Sequence, residues 1–167
     1  MTVGIIPFVG LCLGFGDLGI VLERVEDTGK IDRCKYCGKF MQVGNIHKDA
    51  EVVLGNLLRE ALTGRATGYR TDGGKGTYIN LLVYRFEERK GGNFAVDRPA
   101  GVGFHMHLME DGALKRVFVF DEDQQALTDN LLGIGKFFRR GAKWVTVEDL
   151  SREGINQGLG DLLEDRK

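Results

Sequence analysis

Residues 101–120, GVGFHMHLMEDGALKRVFVF, constrain the fold more than any other stretch of the chain. Val102, Phe104, Met106 and Leu108 alternate with Gly103, His105 and His107. A period of two marks a strand, because successive side chains leave a pleated backbone on opposite sides. Asp111-Gly112 follows, a pair that readily takes the left-handed backbone of a two-residue hairpin turn. Leu114 to Phe120 then reads as the returning strand. Tyr78 to Glu87 is a further apolar strand, and Phe94 to Val96 a short one. The middle of the chain is therefore expected to be an antiparallel meander.

The segments on either side read as helices. Asp49 to Thr63 carries an apolar stripe of Val52, Val53, Leu57, Leu58, Ala61 and Leu62, with Asp49 as its N-cap and Gly64 just past its end. Thr128 to Arg140 has Leu131, Leu132, Ile134, Phe137 and Phe138 as its apolar set, and Gly141 closes it. Thr146 and Asp149 have the spacing of a capping box for a last helix, whose stripe is Val147, Leu150, Ile155, Leu159 and Leu162. Elsewhere, Thr2 to Val9 reads as a strand and Arg65 to Thr77 as a turn region, while Leu11 to Gly29 is glycine-punctuated without a readable period, a short helix at Ile20 to Glu26 being only what the dinucleotide motif would require. The expectation is one α/β (α+β) domain over 1–167, with a mixed, largely antiparallel sheet flanked by about three helices. A C-x-x-C loop lies within it at 30–44. The chain holds 25 glycines in 167 residues with no collagen-like period, and 43% hydrophobic residues argue against Gly-rich disorder. Gly154 and Gly158 lie four apart on the last helix, where close packing would compensate their poor helix propensity. A formal charge of −1 gives no electrostatic case for nucleic acid.

Several motifs have chemical readings. Gly14-Phe15-Gly16-Asp17-Leu18-Gly19 matches the dinucleotide fingerprint, but the stretch after it is too short for a crossover helix, and a C-x-x-C loop replaces the second parallel strand. Gly73 to Thr77 lacks phosphate-loop spacing and reads as a tight turn. Cys34-Lys35-Tyr36-Cys37-Gly38 is half of a zinc knuckle, its glycine letting backbone amides turn towards the thiolates. A closed structural site needs four ligands, and the others available are Cys12, His47, His105 and His107. The candidate set is Cys34, Cys37, Cys12 and His47, with a structural zinc as the implied ion. A Cys34–Cys37 disulfide and a pair of reduced thiols stay open beside it. His105 and His107 share one strand face, which reads first as the polar outer face of a half-buried strand. Asp121-Glu122-Asp123 lacks the spacing of a calcium loop and reads as a solvated turn. No Ser/His/Asp or paired-carboxylate arrangement calls for catalysis, so the chain is expected not to be an enzyme.

The stretch from Val102 to Gly154 resembles a family of mostly uncharacterised bacterial envelope lipoproteins related to the CsgG, LpoB and TolB N-terminal group. The residues that carry the resemblance are Phe120-Asp121-Glu122, Gln124-Gln125-x-Leu127 and Arg140-Gly141-x-Lys143-Trp144-x-Thr146-x-Glu148-x-Leu150. Ile5 to Phe8 and Cys34-x-x-Cys37-Gly38 before an Asp49-type helix add to it. The resemblance implies a non-catalytic domain at the periplasmic side of the outer membrane that binds envelope proteins or further copies of itself. No export signal or lipobox is read around Cys12, so any peripheral membrane association would come through a leader or lipid that this chain lacks. Phe137, Arg139, Arg140, Lys143 and Trp144 form a possible contact patch, since Trp and Arg are enriched at binding hot spots. The basic residues equally complement a helix C-terminus, and Trp144 equally anchors the last helix in the core. Two alternatives stand beside this reading: a small zinc- or redox-responsive module using Cys34 and Cys37, and a nucleotide-binding protein using Gly14 to Gly19.

Overall fold

A computed structural model describes residues 18–26, 29–63, 66–70, 74–91, 96–98, 100–123 and 145–164. Its centre is a five-stranded sheet. Strand β1 is Leu18–Arg24, β4 is Ala66–Arg70, β5 is Thr77–Glu87, β8 is Gly101–Glu110 and β9 is Ala113–Asp123, in the spatial order β4-β1-β5-β8-β9. Strand β1 runs parallel to both β4 and β5, whereas β5–β8 and β8–β9 are antiparallel. Two short antiparallel pairs stand outside this sheet: β2 (Ile31–Arg33) with β3 (Phe40–Gln42), and β6 (Lys90–Gly91) with β7 (Val96–Arg98). Helices α1 (Ala50–Ala61) and α2 (Val147–Leu163) complete the described elements. The expected α+β class and the β5–β8–β9 meander hold. The expected strand at 2–9, the helix at 128–140 and the contact patch from Phe137 to Trp144 lie outside the described residues.

Two expectations are corrected. Residues 20–26 are not helical, because 18–24 form β1 at the heart of the sheet. Leu18 and Ile20 face one side and Val21 the other, all of them buried, which is strand alternation in a short apolar run. The supposed turn region at 65–77 contains β4, which Gly68 and Tyr69 pair to β1. Without apolar alternation of its own, this edge strand carries no period to read.

One face of the sheet meets the helices. Ile79, Leu81 and Val83 of β5 join Val102, Phe104, Met106 and Leu108 of β8 there, packed against Leu54, Leu58, Leu150 and Ile155. Helix α1 starts after Asp49 as expected, although the Asp49 side chain makes no capping bond and Val52 is exposed. Helix α2 begins in the expected capping box: Thr146 Oγ1 accepts from the Asp149 amide at 3.1 Å, and Asp149 Oδ2 accepts from the Thr146 amide at 3.3 Å. The β8–β9 turn also follows expectation, with positive φ at both Asp111 (49°) and Gly112 (81°).

Gly154 and Gly158 are where α2 touches the sheet. A Cβ on Gly154 would lie 2.6 Å from the Phe120 ring, and one on Gly158 would lie 2.7 Å from Met106 Sδ and the Phe118 ring. Phe120 is buried and stacks on Phe104, so it cannot step aside. Gly154→Ala is therefore expected to destabilise the protein by about 1–3 kcal/mol despite the better helix propensity of alanine. Urea unfolding checks this: the midpoint falls while the slope stays constant.

Candidate metal centre

The opposite sheet face is covered as well, by residues 25–44. Tyr78, Asn80, Leu82 and Tyr84 of β5 and His105, His107 and Met109 of β8 all point to this side, and all are buried. The cover is the β2–β3 hairpin. Its two ends are tied to β5, where the Val25 amide donates to Val83 O and the Gly44 amide to Tyr84 O, at 3.0 and 2.9 Å. Met41, Val43 and Cys34 of the hairpin pack on Leu82 and Tyr84. At the tip, the Gly38 amide donates to Cys34 O at 2.8 Å and the Cys34 amide to Lys39 O at 2.9 Å. Gly38 has φ +69°, a backbone that few other residues take. The resulting turn directs the backbone N–H groups of Tyr36 and Cys37 at the Cys34 sulfur.

This turn lays both cysteines against the two histidines. Cys34 Sγ is 3.3 Å from His107 Nε2, and Cys37 Sγ is 3.5 Å from His105 Nδ1. One ligand atom from each of the four residues lies within 4.8 Å of every other. A tetrahedral zinc with sulfurs at about 2.3 Å and nitrogens at about 2.0–2.1 Å would hold its ligands about 3.4–3.8 Å apart. The two paired sulfur–nitrogen separations are close to those of that tetrahedron, and the 4.8 Å spread of the four atoms would contract around an ion. The paired separations also fit two S–H···N hydrogen bonds, but hydrogen bonding does not require two such pairs to converge on one point. The other ring nitrogen of His105, Nε2, is buried and has no hydrogen-bond partner among the described residues. The two sulfurs are not bonded to each other.

Burial makes the site expensive when no cation fills it. Removal from water pushes the Cys34 thiol above its ordinary pKa. The same removal, aided by the neighbouring His107 and Lys39 charges, lowers His105 to about 4. Burial also lowers His107 to about 4, against the opposing effect of Asn80 and Glu23. The cluster is ringed by aromatics: the Tyr36 ring is 5.1 Å from His107, and the Tyr84 ring meets His105 edge-on at 5.3 Å. A soft, dry pair of thiols with two neutral imidazoles suits a zinc-class cation and not magnesium or calcium, which take oxygen ligands.

Among the described residues, His105 and His107 and not His47 join the two cysteines. His47 is exposed in the loop before α1, where its Nδ1 accepts from the Asp49 amide at 3.4 Å. Cys12 lies outside the described residues. His105 and His107 are not on a polar outer face, because each has 0% of its surface exposed. The signal available was the C-x-x-C itself, which can cap a strand face from outside and so turn an apparent exterior into a second interior. The dinucleotide fingerprint also loses its context, since Gly19 lies inside β1 and the next described element is the strand β2.

No family model matches the chain, and no curated protein does. Solved structures align with it at low identity. The PelC dodecamer from Paraburkholderia phytofirmans aligns with a TM-score of 0.50 and 15% identity over 92% of each chain. Protein XCC0632 from Xanthomonas campestris, of family model DUF330, aligns at 0.41 and 12% identity over 85% of this chain and 78% of that one. A minor lipoprotein from Acinetobacter baumannii aligns at 0.33 and 13% identity over 83% of this chain and 90% of that one. The PelC likeness extends to the fold.

The metal-free protein should be acid-sensitive in a defined window. Each imidazole has a pKa of about 4 in the fold against 6.5 ordinarily. Below 6.5 the unfolded chain therefore takes up protons that the folded one does not. Stability is full above that value and is lost as pH falls towards 4. Urea midpoints measured between pH 7.5 and 4.5 in the presence of a chelator are expected to drop steadily, and less steeply in His105→Gln. A flat profile would show that the imidazoles are not buried.

Proposed function

We propose that this chain is a non-catalytic domain that binds one zinc-class cation through Cys34, Cys37, His105 and His107. The carrying observation is the convergence of four ligand atoms within 4.8 Å, drawn from a hairpin tip and a central strand. The cation's task is structural. The hairpin's own apolar contribution is small, centred on Met41 and Val43, and a metal clip secures it to the sheet. Binding displaces the thiol protons and uses the imidazole lone pairs, so buried side chains of the two layers become ligands of one ion that holds the hairpin down.

The protein purified without chelator is expected to carry about one zinc per chain, by elemental analysis. Chelation should lower its melting temperature. A cation about a thousandfold above its dissociation constant contributes about 4 kcal/mol, which is about 10 °C for a domain of this size. Cys34→Ser and His107→Ala should lose the metal, whereas Cys12→Ser and His47→Ala should retain it. Cobalt substitution gives a second readout, a visible spectrum of tetrahedral thiolate–imidazole ligation. A zinc-free protein whose melting is indifferent to chelator, or a cobalt spectrum abolished by Cys12→Ser, would overturn the reading.

A second reading concerns where and with whom the domain works. The fold agreement with the PelC dodecamer and the resemblance to the CsgG, LpoB and TolB N-terminal group support an envelope-associated domain that assembles with further copies of itself. No described helix is long and apolar enough to cross a membrane. Light scattering after size exclusion is expected to return a multiple of 18.5 kDa. A single-chain mass at all concentrations would count against self-assembly.

A further inference from the structure

The side of His107 turned away from Cys34 belongs to a chain of hydrogen bonds that direct ligation does not use. His107 Nδ1 lies 3.1 Å from Asn80 Oδ1. Asn80 Nδ2 donates to Glu23 Oε2 at 3.2 Å. The same Glu23 oxygen accepts from the Tyr36 hydroxyl at 2.7 Å, and Glu23 Oε1 accepts from Lys35 Nζ at 3.2 Å. Asn80 is 1% exposed, so neither end of its amide has water to fall back on. The register explains the contact: Asn80 and His107 sit directly opposite on β5 and β8.

We propose that Asn80 is a positioning residue that fixes His107 in the tautomer able to bind metal, with Glu23 setting the direction of the Asn80 amide. This rests on the metal-binding reading above. The logic follows from which groups can donate. An ionised carboxylate only accepts, so Glu23 must face the amide nitrogen of Asn80. Asn80 then has only its oxygen to offer His107. That oxygen requires a proton on Nδ1, which leaves the lone pair on Nε2, the nitrogen facing Cys34 Sγ. Burial opposes the charge on Glu23, yet the Tyr36, Asn80 and Lys35 donors together hold its carboxyl below the ordinary range, so the acceptor role persists at neutral pH. Tyr36 and Lys35 lie between the two cysteines in sequence. The chain of bonds therefore closes a ring, from the knuckle through Glu23, Asn80 and His107 back to Cys34.

Two measurements test this, and the first does not depend on metal binding. In the metal-free protein, ring ¹⁵N shifts of His107 are expected to show a protonated Nδ1 and a bare Nε2. The opposite tautomer would overturn the proposal whether or not the protein binds zinc. In cobalt and zinc titrations, Asn80→Leu is expected to weaken binding about 10–100-fold. The double exchange Glu23→Gln with Asn80→Asp reverses donor and acceptor between 23 and 80 but leaves an oxygen facing His107. It should restore both the affinity and the cobalt spectrum, because an acceptor again faces His107; Asn80→Leu, of similar size but without a polar atom, is the control for packing. Wild-type affinity in Asn80→Leu, or a double variant no better than Asn80→Leu, would refute the assignment. A wild-type protein that takes no metal but shows the expected tautomer would refute the metal reading alone.

Discussion

Strand β8 is buried on both faces, and the two faces differ in chemistry. The Phe104–Met106 side is an ordinary apolar core, whereas the His105–His107 side places two imidazoles out of reach of water. Each buried nitrogen must find a partner or cost roughly 1–3 kcal/mol. Much of the second layer answers that demand. The hairpin brings thiols to the ring atoms facing it, β5 brings Asn80 to the remaining nitrogen of His107, and Tyr84 closes the edge of His105. A cation at the centre would turn these separate accommodations into one.

The elements that could be read from sequence were those with a local cause. The β8–β9 hairpin is written in its alternation and in Asp111-Gly112, and α2 in the Thr146–Asp149 box and in glycines set against Phe120 and Phe118. β1 and β4 were missed because parallel pairing is a long-range event. Leu18 to Arg24 has only a short apolar run that suits either secondary structure, and β4 is held by β1 and not by its own pattern. The site was half legible. Cys34-x-x-Cys37-Gly38 announces a turn that gathers thiolates, but choosing its partners depended on which face of the sheet the turn covers. His105 and His107, available as ligands, read first as an outer face under a rule for half-buried strands, and β8 is not half-buried.

The fold and the site also have separate standing as arguments. A likeness to PelC at 15% identity speaks for strand order and helix placement, and an architecture hosts many roles. The cysteine–histidine cluster depends on particular side chains in this chain and would stand if the architecture were new. Self-assembly and metal binding are accordingly independent readings, one resting on shape and the other on chemistry.

The distance along the chain between the two halves of the site has a kinetic consequence. Cys34 and His107 are 73 residues apart, and Cys37 and His105 are 68 apart. Each half, two thiols on a tight turn and two rings on one strand, can form early and locally. They meet only after β1, β5 and β8 have assembled, which requires closing a long loop. A cation that needs all four ligands joins late, so its stabilisation falls on the rate of unfolding and hardly on the rate of folding. Once loaded, the domain would release its metal no faster than the hairpin lifts from the sheet, which makes the ion a lock on a finished structure instead of a guide to its formation.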